Sequence, residues 1–275
     1  MSATIATMSE REYRIADGVH FSRLKKIEES PLHYLANPPY LGKAGEIGSL
    51  GHMALLEPEK FASEVVVFDG DKRKKEWKEF KAANEGRHVV GAKDHLAASS
   101  MAASVRSHKA MSRYFDGARF EVPIFWTHRF GVACKSRLDW VTDEVLIDPK
   151  TSGKKIGPRK FGFQCADLFY YGQMAFYHDA IKAIDGRDRK VILLAIEQNS
   201  PHDVIPYVLS EDDLQAGRAK YESWLSTLLT CERDDYWPGQ CPGEMPLDLP
   251  GYVFDEYETA KTAPAPDDRG DAESL

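Results

Sequence analysis

Apolar side chains recur every three to four residues in four segments of the chain, and this spacing predicts amphipathic helices. A fifth segment is more polar and rich in Ala, Ser and Met, and it is also predicted to be helical. Ser22 and Ser210 are the predicted N-caps of the first and last helices, and Pro58 is expected to end the second. The predicted helical segments are Phe21–Leu35, Lys43–Leu56, 91–115, Phe163–Ile184 and Glu211–Leu228.

Alternating or continuous apolar runs predict five β-strands. Thr142-Asp143 is a tight connection, so the strands on either side of it are expected to form a hairpin. Residues 150–160 contain two glycines and a proline, which predicts a loop. The order of elements predicts an α/β core with a mixed sheet and an amino-terminal helical portion. The predicted strands are Phe120–Thr127, Ala133–Val141, Glu144–Asp148, Lys190–Glu197 and Val204–Leu209.

The chain has 275 residues, enough for one domain with a full core. We predict a single domain over residues 1–258, with a mainly helical part at 1–115 and a catalytic core at 116–230. Residues 1–18 lack periodicity and are expected to be partly loose. Asp234–Pro250 is rich in Pro, Gly and acidic residues and predicts an extended loop. Residues 259–275 offer almost nothing to bury, which predicts disorder.

The composition of the chain excludes few functional classes. The formal net charge is -7, so a nucleic-acid partner would need a locally basic path. The basic stretch Lys72–Lys81 is interpreted as a solvated helix face or loop, with a DNA contact as the alternative. Four cysteines lack any C-x-x-C pair, which disfavours a zinc site or an iron–sulfur cluster. Neither a signal peptide nor a membrane-spanning run is evident, so a cytoplasmic protein is expected.

The candidate chemistry lies in the predicted hairpin. Asp139 is on its first strand, and Asp148 ends its second strand two residues before Lys150. Side chains alternate along a strand, so Asp148 and Lys150 should share a face, and the hairpin should bring Asp139 towards them. Two nearby carboxylates repel each other unless a cation or protons intervene, and Mg²⁺ is a natural cation for such a pair. The lysine could orient or deprotonate a water, or stabilise charge on a phosphate.

A D-x-K tripeptide alone is common and is often part of a surface salt bridge. Here it follows an apolar strand, and the partner strand carries a second acid between Leu138 and Trp140. That context resembles the PD-(D/E)xK nuclease superfamily, in which an acid on one strand precedes (D/E)-x-K on the next. More closely, the segment resembles the RecE-type exonucleases (exodeoxyribonuclease VIII) and their phage relatives. The literal Pro-Asp pair is missing, since Leu138 precedes Asp139.

Three further segments carry the same resemblance. Gly48–Pro58 is similar to a family helix of pattern G-x-x-x-H-x-x-L-L-E-P, which implies that His52 lies at the metal site. Gln173 and Tyr177 match a family Q-x-x-x-Y pattern, and at i and i+4 they share a helix face. Ser22–Leu35 is similar to the opening of the phage proteins. Taken singly, His52 could be a structural histidine, and Gln173 and Tyr177 could be ordinary positions of an amphipathic helix.

The resemblance implies a PD-(D/E)xK fold and an exonuclease that degrades one strand of linear double-stranded DNA, 5′ to 3′, for recombination. It implies Mg²⁺ as cofactor, replaceable by Mn²⁺, held by His52, Asp139 and Asp148. Glu121 is a further possible ligand, although a glutamate at a strand start is common on surfaces. The implied partners are DNA ends and a RecT-like single-strand annealing protein, and a homo-oligomeric ring is implied as well.

Phosphate contacts are expected beside the acids. Arg137 lies two residues before Asp139, so it could reach a phosphate or a site acid. The loop after Lys150 carries four more cations that could bind the DNA backbone, although a solvated loop has a similar pattern. Two other functions remain open: an endonuclease or flap nuclease on the same core, and a catalytically silent DNA-binding protein. The four loop cations are Lys154, Lys155, Arg159 and Lys160.

Overall fold

The computed structural model describes residues 2–36 and 46–262. Its centre is a six-stranded sheet in the order β1 (Ala3–Ile5), β4 (Arg119–Thr127), β5 (Ala133–Val141), β6 (Val145–Ser152), β7 (Lys190–Glu197) and β8 (Val204–Val208). Strands β6 and β7 are parallel, and the other neighbours are antiparallel. The predicted α/β fold with a mixed sheet is therefore confirmed.

Helices cover both faces of the sheet and create two separate cores. Strand β7 shows the division: Val191 and Leu193 pack into one core, and Ile192 and Leu194 pack into the other. A strand buried on both faces needs apolar residues at every position, which explains its continuous apolar sequence. The helices are α1 Glu10–Ile15, α2 Phe21–Leu24, α3 Pro31–Ala36, α4 Glu46–Leu56, α5 Pro58–Glu64, α6 Lys75–Ala83, α7 Ala92–Ser107, α8 Pro158–Asp167, α9 Tyr170–Asp185, α10 Glu211–Asp234 and α11 Gly251–Thr262.

A second sheet has two parallel strands, β2 Val65–Phe68 and β3 His88–Gly91, joined through α6. The sequence did not predict these strands, because each has only four residues and their mutual pairing is non-local. Parallel strands require a crossover connection, and α6 supplies it. This small unit follows α5 and precedes α7, and Val65 and Val90 of its strands are buried in the same core as these helices.

The region after the hairpin differs from the prediction. Residues 150–152 continue β6, because they pair with residues 195–197 of the parallel neighbour β7. Residues 158–160 begin α8, since Pro158 occupies the first helical position, where its fixed φ is favourable. The predicted helix Phe163–Ile184 is two helices, α8 and α9, separated at Phe169, whose φ is 57°. A left-handed residue cannot continue a right-handed helix, so the chain changes direction there.

The amino-terminal predictions also need correction. Phe21–Leu35 is divided into α2, a 3-10 turn and α3. The N-cap of α2 is His20, not Ser22, because the His20 ring accepts a bond from the Arg23 amide. Residues 1–18, expected to be partly loose, include β1 and a helix α1 with a capping box between Ser9 and Glu12. Short elements of this kind have no detectable periodicity, so only their tertiary partners reveal them.

At the other predicted caps the outcome is mixed. Ser210 caps α10 in a capping box with Asp213, as predicted. Pro58 does follow α4, but it also starts α5, which the sequence did not predict. The first three residues of the predicted helix Lys43–Leu56 lie outside the described residues. Within the part that the structure describes, no helix is long and apolar enough to cross a membrane.

The chain divides into two compact units, Met1–Gly239 and Gln240–Leu275. The second unit contains α11, and its residues 240–250 form no helix or strand, in keeping with the predicted loop. Residues 259–262 of the predicted disordered tail belong to α11, and residues 263–275 lie outside the described residues. Asp139, Asp148 and Lys150 all belong to the first unit.

Candidate active site

Strands β5 and β6 separate at the two predicted catalytic acids. Their ladder pairs Val141 with Leu146 and Trp140 with Ile147, and the next register positions are Asp139 and Asp148. Cross-strand neighbours point to the same face of a sheet. The two carboxyl groups therefore lie close together where the strands diverge, and Asp148 is almost completely buried, with 1% of its surface exposed.

Glu121 marks a local inversion of strand β4. Its φ is 52°, which is uncommon outside glycine and is a sign of backbone strain. Phe120 and Val122 would share a face in a regular strand, yet they pack into different cores. The inversion at Glu121 accounts for this change of face. It also directs the Glu121 carboxylate towards Asp139, which is opposite it in the register.

Three side chains from three elements form a compact group of possible ligands. His52 Nε2 on α4 is 2.9 Å from Asp139 Oδ2, and His52 Nδ1 is 3.4 Å from Glu121 Oε1. One ligand atom from each residue lies within 4.8 Å of the others. Arg137 Nε is 2.6 Å from Glu121 Oε2, so Arg137 contacts a site acid rather than projecting freely.

Asp148 belongs to a second set of contacts, centred on Lys150. Lys150 Nζ is 2.5 Å from Asp148 Oδ2, and it donates a hydrogen bond to Gln173 Oε1 on α9 at 3.1 Å. Gln173 Nε2 in turn donates to the Tyr177 hydroxyl at 3.1 Å. The Tyr170 ring lies beneath the ammonium group, 4.7 Å from Nζ to the ring centroid. Lys150 is therefore held on three sides.

Burial and charge shift the pKa values of the acids in opposite directions. Desolvation by burial, together with the nearby charge of Asp139, raises the pKa of Asp148 to about 7 despite the adjacent Lys150 ammonium. Desolvation raises the pKa of Glu121 to about 7 in the same way. Burial would also raise the pKa of Asp139, but the charge and hydrogen bond of His52 outweigh it and hold the value at about 2.

The same acids also shift the pKa values of the basic groups in the site. Burial alone would lower the pKa of His52, but Asp139 and Glu121 raise it to about 9. The pKa of Lys150 is also raised, because Asp148 and Asp139 outweigh its desolvation. Without a metal ion, both groups are therefore protonated near neutral pH. The site balances its acids with an imidazolium and an ammonium group.

The donor set fits a divalent cation. Glu121 Oε2 and both oxygens of Asp148 are shielded from solvent and accept no well-aligned hydrogen bond from the described residues. Among those residues, Glu121 Oε2 has only the ion pair with Arg137, and Asp148 Oδ2 has only the ion pair with Lys150. Buried carboxylate oxygens with so few polar contacts are costly, and a divalent cation would supply the missing contacts. His52, Glu121 and Asp139 would supply the first ligands. Asp148, which now contacts Lys150, stays a predicted ligand.

A cavity of about 680 Å³ opens onto this group and is lined by His52, Glu121, Asp139 and Lys150. A smaller cavity of about 200 Å³ also reaches Asp139 and is lined by Tyr177. The four predicted loop cations lie elsewhere. They are exposed, they line neither cavity, and they form no ion pair with a described residue; they are Lys154, Lys155, Arg159 and Lys160.

Several lining residues were not identified from the sequence. Tyr170 could have been found, because it precedes Gln173 and Tyr177 by three and seven residues and so shares their helix face. Glu10 and Lys60 gave no signal, since they come from short elements far away in sequence. Glu10 Oε2 lies 3.6 Å from Lys60 Nζ and 3.8 Å from Arg137 Nη1, so α1 is tied to the rim of the site.

Comparison with known proteins adds family evidence. A family model described as a PDDEXK-like domain of unknown function (DUF3799) matches residues 20–244. No curated protein matches the chain. A crystal structure from Eubacterium rectale, described as a "Putative exonuclease", is similar with a TM-score of 0.62 and 13% identity. That match covers 90% of this chain and 98% of the other. At this identity the likeness shows a shared fold.

Proposed function

The chain belongs to the PDDEXK-like domain family (DUF3799), and from that premise we propose that it is a divalent-metal-dependent DNA exonuclease. Family membership and fold support a nuclease of the PD-(D/E)xK type. The finer proposal is that it degrades one strand of linear duplex DNA. The exonuclease description of the structural neighbour agrees with this, and so does the resemblance of the sequence to RecE-type enzymes.

The observation that carries the proposal is the arrangement of acids and lysine at the fork between β5 and β6. Asp139 forms a possible metal-ligand group with His52 and Glu121. It also lies close enough to Asp148 and Lys150 for their charges to affect its pKa. A purely structural role would not favour burying this many acids together, because each carries a desolvation penalty. A catalytically silent protein would have little reason to retain them.

Each residue has a defined part in the proposed reaction. A divalent ion, for which Mg²⁺ or Mn²⁺ are the proposed candidates, would neutralise the acids and polarise the scissile phosphate. Lys150 presents a protonated ammonium group, so it stabilises negative charge developing on the phosphate rather than removing a proton. Gln173 fixes the position of that ammonium group, and Tyr177 supports Gln173 through the hydrogen bond between their side chains.

The remaining features of the proposal rest on the sequence resemblance. They are 5′ to 3′ polarity, a role in recombination beside a single-strand annealing protein, and assembly into a ring around DNA. Contacts of the loop cations with the DNA backbone are also proposed, and these rest on the charge and exposure of the loop residues. Because Arg137 is paired with Glu121, its proposed role is to orient that acid, with phosphate contact as a second possibility.

Digestion of end-labelled linear duplex DNA with Mg²⁺ or Mn²⁺ tests the proposal. Wild type should degrade the linear DNA and leave a covalently closed circle intact. Lys150→Ala should lower the rate by roughly 10²–10³-fold, the scale seen when one charge-stabilising donor is removed. Lys190→Ala is the matched control, since Lys190 is exposed and forms no ion pair with a described residue.

Three results would separate the competing functions. Cleavage of the closed circle would identify an endonuclease. Folded wild type that cleaves neither substrate with either metal would refute the nuclease proposal and favour a silent DNA-binding protein. Equal rates for wild type and Lys150→Ala would refute the assigned site even if cleavage occurred.

A further inference from the structure

The segment that leads into helix α6 and forms most of it carries a concentration of positive charge. Residues 72–81 (KRKKEWKEFK) contain six basic and two acidic residues in a chain whose net charge is -7. Three of the basic residues are neutralised locally by acidic partners. Those ion pairs are Lys72 with Asp94 at 2.9 Å, Arg73 with Asp71 at 2.9 Å and Lys75 with Glu79 at 2.8 Å.

The other three form what we call the lysine stripe: Lys74, Lys78 and Lys81. All three are exposed, and none forms an ion pair with a residue that the structure describes. Their spacing of four and then three residues places them on one face of the helix. With a rise of 1.5 Å per residue, the stripe extends over about 10 Å along the helix axis.

Helix stability does not explain the stripe. Positive charges near a helix amino terminus are unfavourable because of the helix dipole, and Lys74 is the N-cap of α6. Like charges three or four residues apart also repel. The helix is instead anchored by its aromatic residues, because the Trp77 and Phe80 ring centroids lie 5.2 Å and 5.3 Å from the Phe68 ring centroid. This packing leaves the lysines free to bind a partner.

Topology places one end of the stripe near the active-site cavity. Strands β2 and β3 are parallel, so their first residues, Val65 and His88, are neighbours at the same end. His88 and the adjacent Glu64 line the cavity. Because α6 connects the far end of β2 to the near end of β3, it runs back towards the cavity. Lys81 is therefore nearer to the cavity along this path, and Lys74 is farther away.

We propose that the lysine stripe binds the phosphate backbone of duplex DNA leading away from the active site. This inference rests on the proposed nuclease function. The acids around the cavity repel phosphate, so affinity for the duplex has to come from cations outside it. The stripe offers three such cations in a row whose Lys81 end is the one nearer to the cavity, and their contacts with the backbone require no particular base sequence.

Equilibrium binding of a short fluorescent duplex across a salt series tests the stripe, with chelator present so that no cleavage occurs. Each phosphate contact contributes about 0.9 to the slope of log affinity against log salt, or roughly eightfold in affinity near 0.1 M salt. Replacing all three lysines should reduce the slope by up to about 2.7 and weaken binding by as much as roughly 500-fold. The test variant is Lys74→Gln/Lys78→Gln/Lys81→Gln.

A second triple variant removes the same charge from exposed sites that have no ion-pair partner among the described residues: Lys109→Gln/Arg119→Gln/Lys190→Gln. It should bind like wild type. An unchanged slope in the stripe variant, or an equal loss in the control variant, would overturn the inference. Stripe-dependent binding of RNA or single strands, with no duplex binding, would also overturn it. The digestion assay tests the nuclease activity separately. A protein that binds duplex DNA through the stripe but does not cleave it would refute only the proposed nuclease activity.

Discussion

Glu121→Gln should stabilise the metal-free protein above neutral pH while impairing its activity. The substitution keeps the shape of the side chain and removes a buried negative charge beside Asp139. Desolvation and that neighbouring charge raise the pKa of Glu121 from 4.5 to about 7, despite the opposing effects of Arg137 and His52. At 1.36 kcal/mol per pKa unit, this difference corresponds to about 3 kcal/mol.

The sign follows from comparing the folded and unfolded chains. Below pH 4.5 the carboxyl group is protonated in both, so wild type and variant should differ little. Between pH 4.5 and about 7 the unfolded chain loses the proton and the folded chain keeps it, so wild type loses stability. Above pH 7 the loss is complete. Glu121→Gln avoids this loss of stability. Burial of the new amide group has its own cost, so the expected gain in the free energy of unfolding is about 1–3 kcal/mol.

Thermal unfolding in chelator, followed by circular dichroism across this pH range, measures the effect. A gain of this size should raise the midpoint by roughly 3–10 °C at pH 8. Glu144→Gln, at an exposed position, is the control and should change stability by less than about 0.5 kcal/mol. Adding Mg²⁺ or Mn²⁺ should stabilise wild type more than the variant. A variant that is less stable than wild type at pH 8 in chelator would refute the reasoning.

Two further substitutions test other contacts. Tyr170→Leu removes the ring under the Lys150 ammonium group and should lower kcat roughly 5- to 30-fold with little change in KM. Tyr170→Phe keeps the ring and should retain activity. Equal losses of activity in both variants would contradict a role for the ring face. Hydrogen bonds to Asp179 from Arg218 and Tyr221, together with the nearby His178 ring, outweigh its desolvation and hold its pKa at about 2. Asp179→Asn should therefore lower the free energy of unfolding by about 2 kcal/mol at pH 7. That difference should vanish as pH falls from 3.8 to 2, and urea unfolding that shows a pH-independent difference would contradict the assignment.

The sequence by itself determined the elements whose residues carry a strong local pattern. Strands Ala133–Val141 and Lys190–Glu197 have the predicted boundaries. For Lys190–Glu197 the reason is its continuous apolar run, which reflects burial against the two cores. The serine cap of the long helix α10 was also predictable, since a capping box involves residues only three positions apart. The hairpin was sufficient to place two acids and a lysine near one another, since register and alternation are local properties of strands.

Tertiary structure decided what depends on distant neighbours. The inversion at Glu121 and the break at Phe169 have no local sequence signal. The sequence left open whether Arg137 contacts a phosphate or a site acid, and the structure pairs it with Glu121. The strands and helices of residues 1–18 and 65–91 exist because partners elsewhere in the chain pair or pack with them. The orientation of the lysine stripe likewise follows from the β2–α6–β3 crossover. Such features depend on packing and pairing between residues far apart in sequence, and no local periodicity records those contacts.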